Sequence, residues 1–205
     1  MNKFPKKIPI FPLSGVIYFP KTNLPLNIFE QRYLNLVEDA FNKNKFMGMV
    51  QSKKEGQDIY KIGCLGKISE YEKNNDGRIL INLTGITRFE ILEEVENGKL
   101  YREFNVDYEK FSHDLKQDAD EINTEQLMSK IKIFFNKSGL LLNWKEFDKL
   151  NQVQKINTLA MISPITNEEK QKLLGSLSLV EKLKDLEYIV NFYLHEPNLS
   201  NSTIQ

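Results

Sequence analysis

The sequence predicts an α+β fold: a small twisted sheet or partly closed barrel with one helix, followed by a bundle of four or five helices. Three observations predict it. Residues 1–112 hold several short apolar runs of strand type, with glycine kinks and one helical stripe, and from Phe46 the spacing is that of strands. Beyond the polar stretch Phe111–Asp120 the spacing is helical throughout. The 205 residues suffice for one large domain or two small ones, each with its own core. The expected division is a β domain over 1–112, a helical bundle over 113–197 and a flexible tail over 198–205.

In the first half, Ile8–Leu13 is a short apolar run whose prolines suit an edge strand. Val16–Phe19 reads as a second strand, ended by Pro20. Leu24–Leu26 is extended and leads to Asn27, a candidate N-cap with Glu30 placed to reach back to it. The helix that follows carries Phe29, Tyr33, Leu36, Val37, Ala40 and Phe41 on one stripe. Phe46–Val50 is a compact apolar strand, and Tyr60–Tyr71 is a longer one kinked or bulged at Gly63 and Gly66. Asp76-Gly77 is the strongest local signal, a tight hairpin turn. Ile79, Ile81 and Leu83 then share one face, and Phe89 and Ile91 open a further strand beyond Gly85. Asn97-Gly98 offers a second turn before the alternating segment Phe104–Tyr108.

In the second half, Leu127, Met128, Ile131, Phe134 and Phe135 form a helical stripe stopped at Ser138-Gly139. A short helix near Trp144–Leu150 and one over Gln152–Ile162 follow, the latter ended by Ser163-Pro164. Thr166 and Glu169 make a capping box for a helix closing near Gly175. Ser178–Leu194 is the last helix, with Val180, Leu183, Leu186, Val190 and Tyr193 facing inward.

Charge narrows the function. Lys+Arg and Asp+Glu both number 28, so no broad basic face is expected, which argues against nucleic acid as the partner. One cysteine, Cys64, excludes an internal disulfide and a multi-cysteine metal site. Flanked by Ile62, Gly63 and Leu65, it reads as a small buried hydrophobe, not a nucleophile. The histidines, His113 and His195, leave little for zinc or a proton relay, and His195 suits a helix C-terminus. Gly63–Ile68 is too short for a phosphate-binding loop and has no hydroxyl after Lys67. Ser14-Gly15 has no histidine in a recognisable arrangement, and Glu93–Glu96 is a solvated strand end. No catalytic residue, metal or cofactor is expected. There is neither a membrane-length apolar run nor a secretory leader, so the expected location is cytoplasmic.

Read in order, several segments carry a resemblance. They are Ile8–Leu13, Tyr18–Pro20, Leu24–Glu30 with Arg32 and Tyr33, Met47–Val50, Tyr60–Gly63, Asp76–Arg78 and Leu83–Phe89. Their order and spacing resemble the N-terminal, substrate-binding domain of Lon proteases. Glu168–Leu174 with Leu183 resembles the end of the same region, with Lys182 where such sequences carry an arginine. The resemblance implies a PUA-like, six-stranded pseudo-barrel with an added helical bundle. It further implies a stand-alone member, without the ATPase and peptidase modules of those proteases. The implied role is recognition of unfolded or degron-bearing polypeptides, as an adaptor or holdase, with an ATP-dependent protease or chaperone as a further partner.

Within that frame, Tyr18, Phe19, Pro20 and Leu24 are the expected polypeptide-binding residues, since a proline-broken apolar segment suggests an exposed patch. Glu30, Arg32, Tyr33, Gly77, Gly85, Arg88 and Phe89 are expected to be scaffold, with Glu30 the guessed partner of Arg88. The alternative is RNA binding, which other PUA-like folds perform. Balanced charge, few arginines and the lack of a lysine–aromatic strip count against it.

Overall fold

The computed structural model describes residues 4–53, 58–115 and 123–195. Two compact units divide at Leu115/Lys116. The expected boundary after residue 112 falls three residues early, because the 3-10 segment Glu109–Leu115 is held to the β unit by its own side chains. The tail expected over 198–205 lies outside the described residues.

Six strands build the first unit: β1 (Lys7–Leu13), β2 (Asn23–Ile28), β3 (Phe46–Gln51), β4 (Ile62–Lys73), β5 (Ile79–Val95) and β6 (Glu103–Asp107). Their order is β2-β5-β4-β3-β1-β6, and β6 also pairs with β5, which closes the sheet into a pseudo-barrel. Every ladder is antiparallel except β1–β3, which is parallel. That parallel pair needs a crossover, supplied by β2 and helix α1 (Gln31–Asn42). Closure is possible because β5 is long: its first half pairs with β2 and its second half with β6. The β4–β5 ladder is bulged between Leu65 and Gly66, where the sheet bends. The hairpin turn lies at Gly77, whose φ of 87° an L side chain adopts only at a cost.

Alternation fills the barrel. Ile8, Ile10, Val50, Leu65, Phe89, Ile91, Phe104 and Val106 form one buried cluster. Ile79, Ile81 and Leu83 face inward from the other half of β5. α1 covers the core with Tyr33, Leu36, Val37 and Ala40, and Tyr33 stacks on Phe11 at 4.1 Å. Asn27 is not its N-cap. It is paired with Leu80 in β2, and the helix begins after Glu30, whose backbone is extended. Phe29 therefore lies outside the helical phase and is 68% exposed, not part of the stripe. Phe41 is half-buried and stacks on Tyr71 at 4.3 Å.

Val16–Phe19 is not a strand. The segment turns inward as a plug, with Ile17, Tyr18 and Phe19 buried. Two bonds pin its far end to β5: Lys21 N–H donates to the Gly85 carbonyl at 2.8 Å, and Gly85 N–H to the Thr22 carbonyl at 2.9 Å. A Cβ at Gly85 would collide with the Phe19 carbonyl oxygen, so only glycine permits this crossing.

Among the described residues the second unit has five helices: α2 (Glu125–Lys137), α3 (Trp144–Phe147), α4 (Gln152–Ile162), α5 (Asn167–Gly175) and α6 (Leu179–His195). Capping boxes start α4 at Asn151/Gln154 and α5 at Thr166/Glu169. α6 buries Leu183, Leu186, Ile189 and Val190. Val180, expected inside, is 44% exposed, because Lys182 takes the inward place in the first turn. Its ammonium donates to Asn157 Oδ1 at 2.7 Å, and both residues are buried.

Candidate polypeptide-binding surface

Tyr18 is 2% and Phe19 0% exposed, and Pro20 is buried as well. These three residues are core of the β unit and form no surface patch. The reason is local: Thr22 Oγ1 donates to the Phe19 carbonyl at 2.7 Å, folding the segment onto Gly85. Tyr18 lies against Gly66, and burial pushes its hydroxyl pKa well up. Leu24 is half-buried and paired with Leu83.

The scaffold residues pair differently from expectation. Glu30 binds Arg32 at 2.8 Å in an exposed local pair, and the Arg32 guanidinium lies 4.6 Å from the Tyr33 ring centre. Arg88 instead meets Asp114. Its Nε and Nη2 donate to Oδ2 at 2.9 Å and Oδ1 at 2.8 Å, and its backbone N–H donates to Oδ2 at 2.9 Å. Phe111 lies under the guanidinium at 4.4 Å. His113 Nε2 is 3.0 Å from Nη2 and must accept, since arginine only donates. This latch joins β5 to the segment that ends the unit. Its groups satisfy one another in a closed site, so its work is structural.

A second network ties α1 to the β5–β6 connection. Tyr101 Oη donates to Asp39 at 2.5 Å and accepts from Lys99 Nζ at 2.6 Å. The Tyr101 bond holds the Asp39 carboxyl below the usual carboxylate range, while burial and that same bond push the Tyr101 hydroxyl up to about 12. Among the described residues, no three His, Cys, Asp or Glu side chains gather where a metal could be held. Cys64 is fully buried in β4.

The outer face of β2, β5 and β4 is open. Rows of outward side chains cross it: Asn23–Thr84–Lys67, Pro25–Asn82–Glu70 and Asn27–Leu80–Glu72. A groove of about 520 Å³ lies over the last two rows, lined by Pro25, Asn27, Glu70, Glu72, Leu80 and Asn82 among others. Asn82 Oδ1 is buried there without a hydrogen-bond partner among the described residues. Next along the same β4–β5 ladder is a groove of about 600 Å³, lined by Lys43, Asn44, Lys45, Lys67, Ile68, Ser69, Thr84 and Ile86. Sequence reasoning missed this surface. Its charges come from positions 43–45 and 67, far apart in the chain, while the composition sums to zero.

β2 ends the sheet, and Pro25 at its centre removes a donor from that edge, which disfavours strand addition there. A partner of this face would lie across the side chains and not extend the ladder.

Comparison with known proteins bears on what such a face serves. Residues 7–191 match the model of the ATP-dependent protease La (LON) substrate-binding domain. The chain belongs to the Lon substrate-binding domain family. The Lon protease of Syntrophus aciditrophicus is 28% identical over 94% of this chain, and that of Dictyoglomus thermophilum 26% over 96%. In both, the match spans 26% of the relative, so this chain covers about a quarter of the length of these Lon proteases. The crystal structure of a Lon N-terminal domain protein from Xanthomonas campestris superposes with a TM-score of 0.63 at 18% identity. It covers 91% of this chain and 98% of its own. The N-terminal domain of the Mycobacterium avium complex Lon protease superposes at 0.57 with 14% identity over the same shares. The Lon N-terminal fold, a six-stranded sheet with several helices, is thus present here. The match lies within the substrate-binding domain, and no helix among the described residues is long and apolar enough to cross a membrane.

Proposed function

We propose that this chain is a non-catalytic, cytoplasmic polypeptide-binding module that recognises unfolded or degron-bearing proteins, as an adaptor or holdase. The observation that carries the reading is the substrate-binding domain match, which runs through both units from residue 7 to residue 191. Two features support it. Titratable clusters such as Arg88–Asp114–His113 are closed ion pairs and not sites with a free nucleophile and base. The open face of β2, β5 and β4 offers concave, mixed polar and apolar grooves of the size a few peptide side chains would fill. An ATP-dependent protease or a chaperone is the expected recipient of the client.

Capture of a permanently unfolded protein, compared with the same protein folded, tests the proposal at low and moderate salt. Preferential capture of the unfolded form that survives moderate salt is the expected result. Equal binding of the two forms, or of neither, contradicts it.

A further inference from the structure

The lysine-lined groove has a charge of its own in a protein whose total is zero. Lys43, Lys45 and Lys67 line it with no carboxylate among the lining residues, and none of the three forms an ion pair among the described residues. Asp39, one turn before Lys43, is engaged by Tyr101 and Lys99. The lysines are held in place from below. Lys43 and Lys45 N–H groups both donate to the Ala40 carbonyl as α1 ends, and the Lys45 carbonyl accepts from Ile68 N–H of β4 at 2.8 Å. Asn44 Oδ1 accepts from Phe46 N–H. The Lys45 ammonium lies 4.7 Å from the Phe41 ring centre, and that of Lys67 lies 6.0 Å from Phe46. Lys45 also has a φ of 65°, a left-handed conformation that glycine or asparagine would adopt at lower cost. A lysine is present there all the same, and it is one of the residues that line the groove.

We propose that this groove binds an acidic stretch of a client polypeptide, with carboxylates seated against Lys43, Lys45 and Lys67 and an apolar side chain on the half-buried Ile86. The inference rests on the polypeptide-binding reading and names the class of segment recognised. Charge complementarity selects the occupant. A nucleic acid fits less well. It carries a phosphate at every step, and the same ladder leads within a few residues to Glu70 and Glu72 in the adjoining groove. Among the described residues, no aromatic ring lines the lysine groove for bases to stack on. A peptide can place carboxylates at one end and neutral or basic groups over the glutamates.

The test uses the full chain and a labelled peptide of about twelve residues, some 40 Å when extended, carrying four glutamates. Its glutamine counterpart and a uridylate oligonucleotide of similar length serve as controls. The acidic peptide should bind, the glutamine peptide should bind more weakly, and salt should erode the difference. Exposed ion pairs are worth a few-fold each, so Lys43→Gln, Lys45→Gly and Lys67→Gln combined should lower affinity for the acidic peptide roughly tenfold. Lys45→Gly alone separates binding from folding: it should weaken binding a few-fold while the midpoint of thermal unfolding holds or rises, since glycine suits a φ of 65°. Equal affinity of the triple variant and the parent overturns the proposal. So does stronger binding of the oligonucleotide that the same substitutions abolish. An unfolded protein poor in acidic residues separates the two readings. If parent and triple variant both capture it and bind the acidic peptide equally, only the groove assignment falls. If the parent captures neither, both readings fall.

Discussion

Arg88 shows what a single buried charge demands. It is 1% exposed inside the barrel, and its compensation is the two-pronged bond to Asp114 with Phe111 beneath. Removing the carboxylate leaves an unpaired buried cation, so Asp114→Ala should destabilise the β unit by about 3 kcal/mol in urea unfolding. Arg88→Met with Asp114→Ala removes both charges and should lose less than the single change; an equal or larger loss would contradict the latch. Phe19 makes the opposite point. As a fully buried ring it should cost about 3–5 kcal/mol when changed to serine, visible as a large drop in thermal midpoint. Neither residue could be placed from the sequence. Arg88 and Asp114 are 26 positions apart, so the pair exists only once the barrel closes. Phe19 lies in a short apolar run that reads as a strand ended by Pro20, and nothing local says that the run leaves the sheet to fill the core.

At the scale of elements, signals with local causes were legible. The Asp76-Gly77 turn needs only a residue tolerant of positive φ, and the capping boxes need only residues three apart. Thr166→Ala should accordingly lower stability by about 1 kcal/mol by removing the acceptor of the Glu169 N–H, measurable by denaturant titration. Where tertiary pairing competes with a local preference, the sequence reading fails. Asn27 and Glu30 spell a capping box, yet Asn27 is drawn into the ladder with Leu80, so the helix starts three residues later than the cap implies. Lys182 likewise breaks the apolar pattern of α6 because Asn157 on α4 offers its ammonium a buried acceptor. The lysine groove was illegible for a related reason: a helix end and two strands must meet before its charges have a common location.

For the molecule as a whole, the division into two units at residue 115 has a direct consequence. A fragment ending at Leu115 keeps the Arg88–Asp114 latch, whereas one ending at Ser112 loses it. The longer fragment should unfold cooperatively at a distinctly higher temperature by circular dichroism; coincident melting would mean that the latch contributes nothing to the unit. The broad fold class follows from the switch of hydrophobic period, and membership of the Lon substrate-binding domain family gives the functional frame. The most direct measurement of that frame is amide hydrogen exchange on the full chain with and without a permanently unfolded client. The account predicts slowed exchange in the α1–β3 turn and along β4 and β5 around residues 67–72 and 80–86, the backbone that carries the two grooves. Protection confined to other segments, or no protection at saturating client, would contradict it.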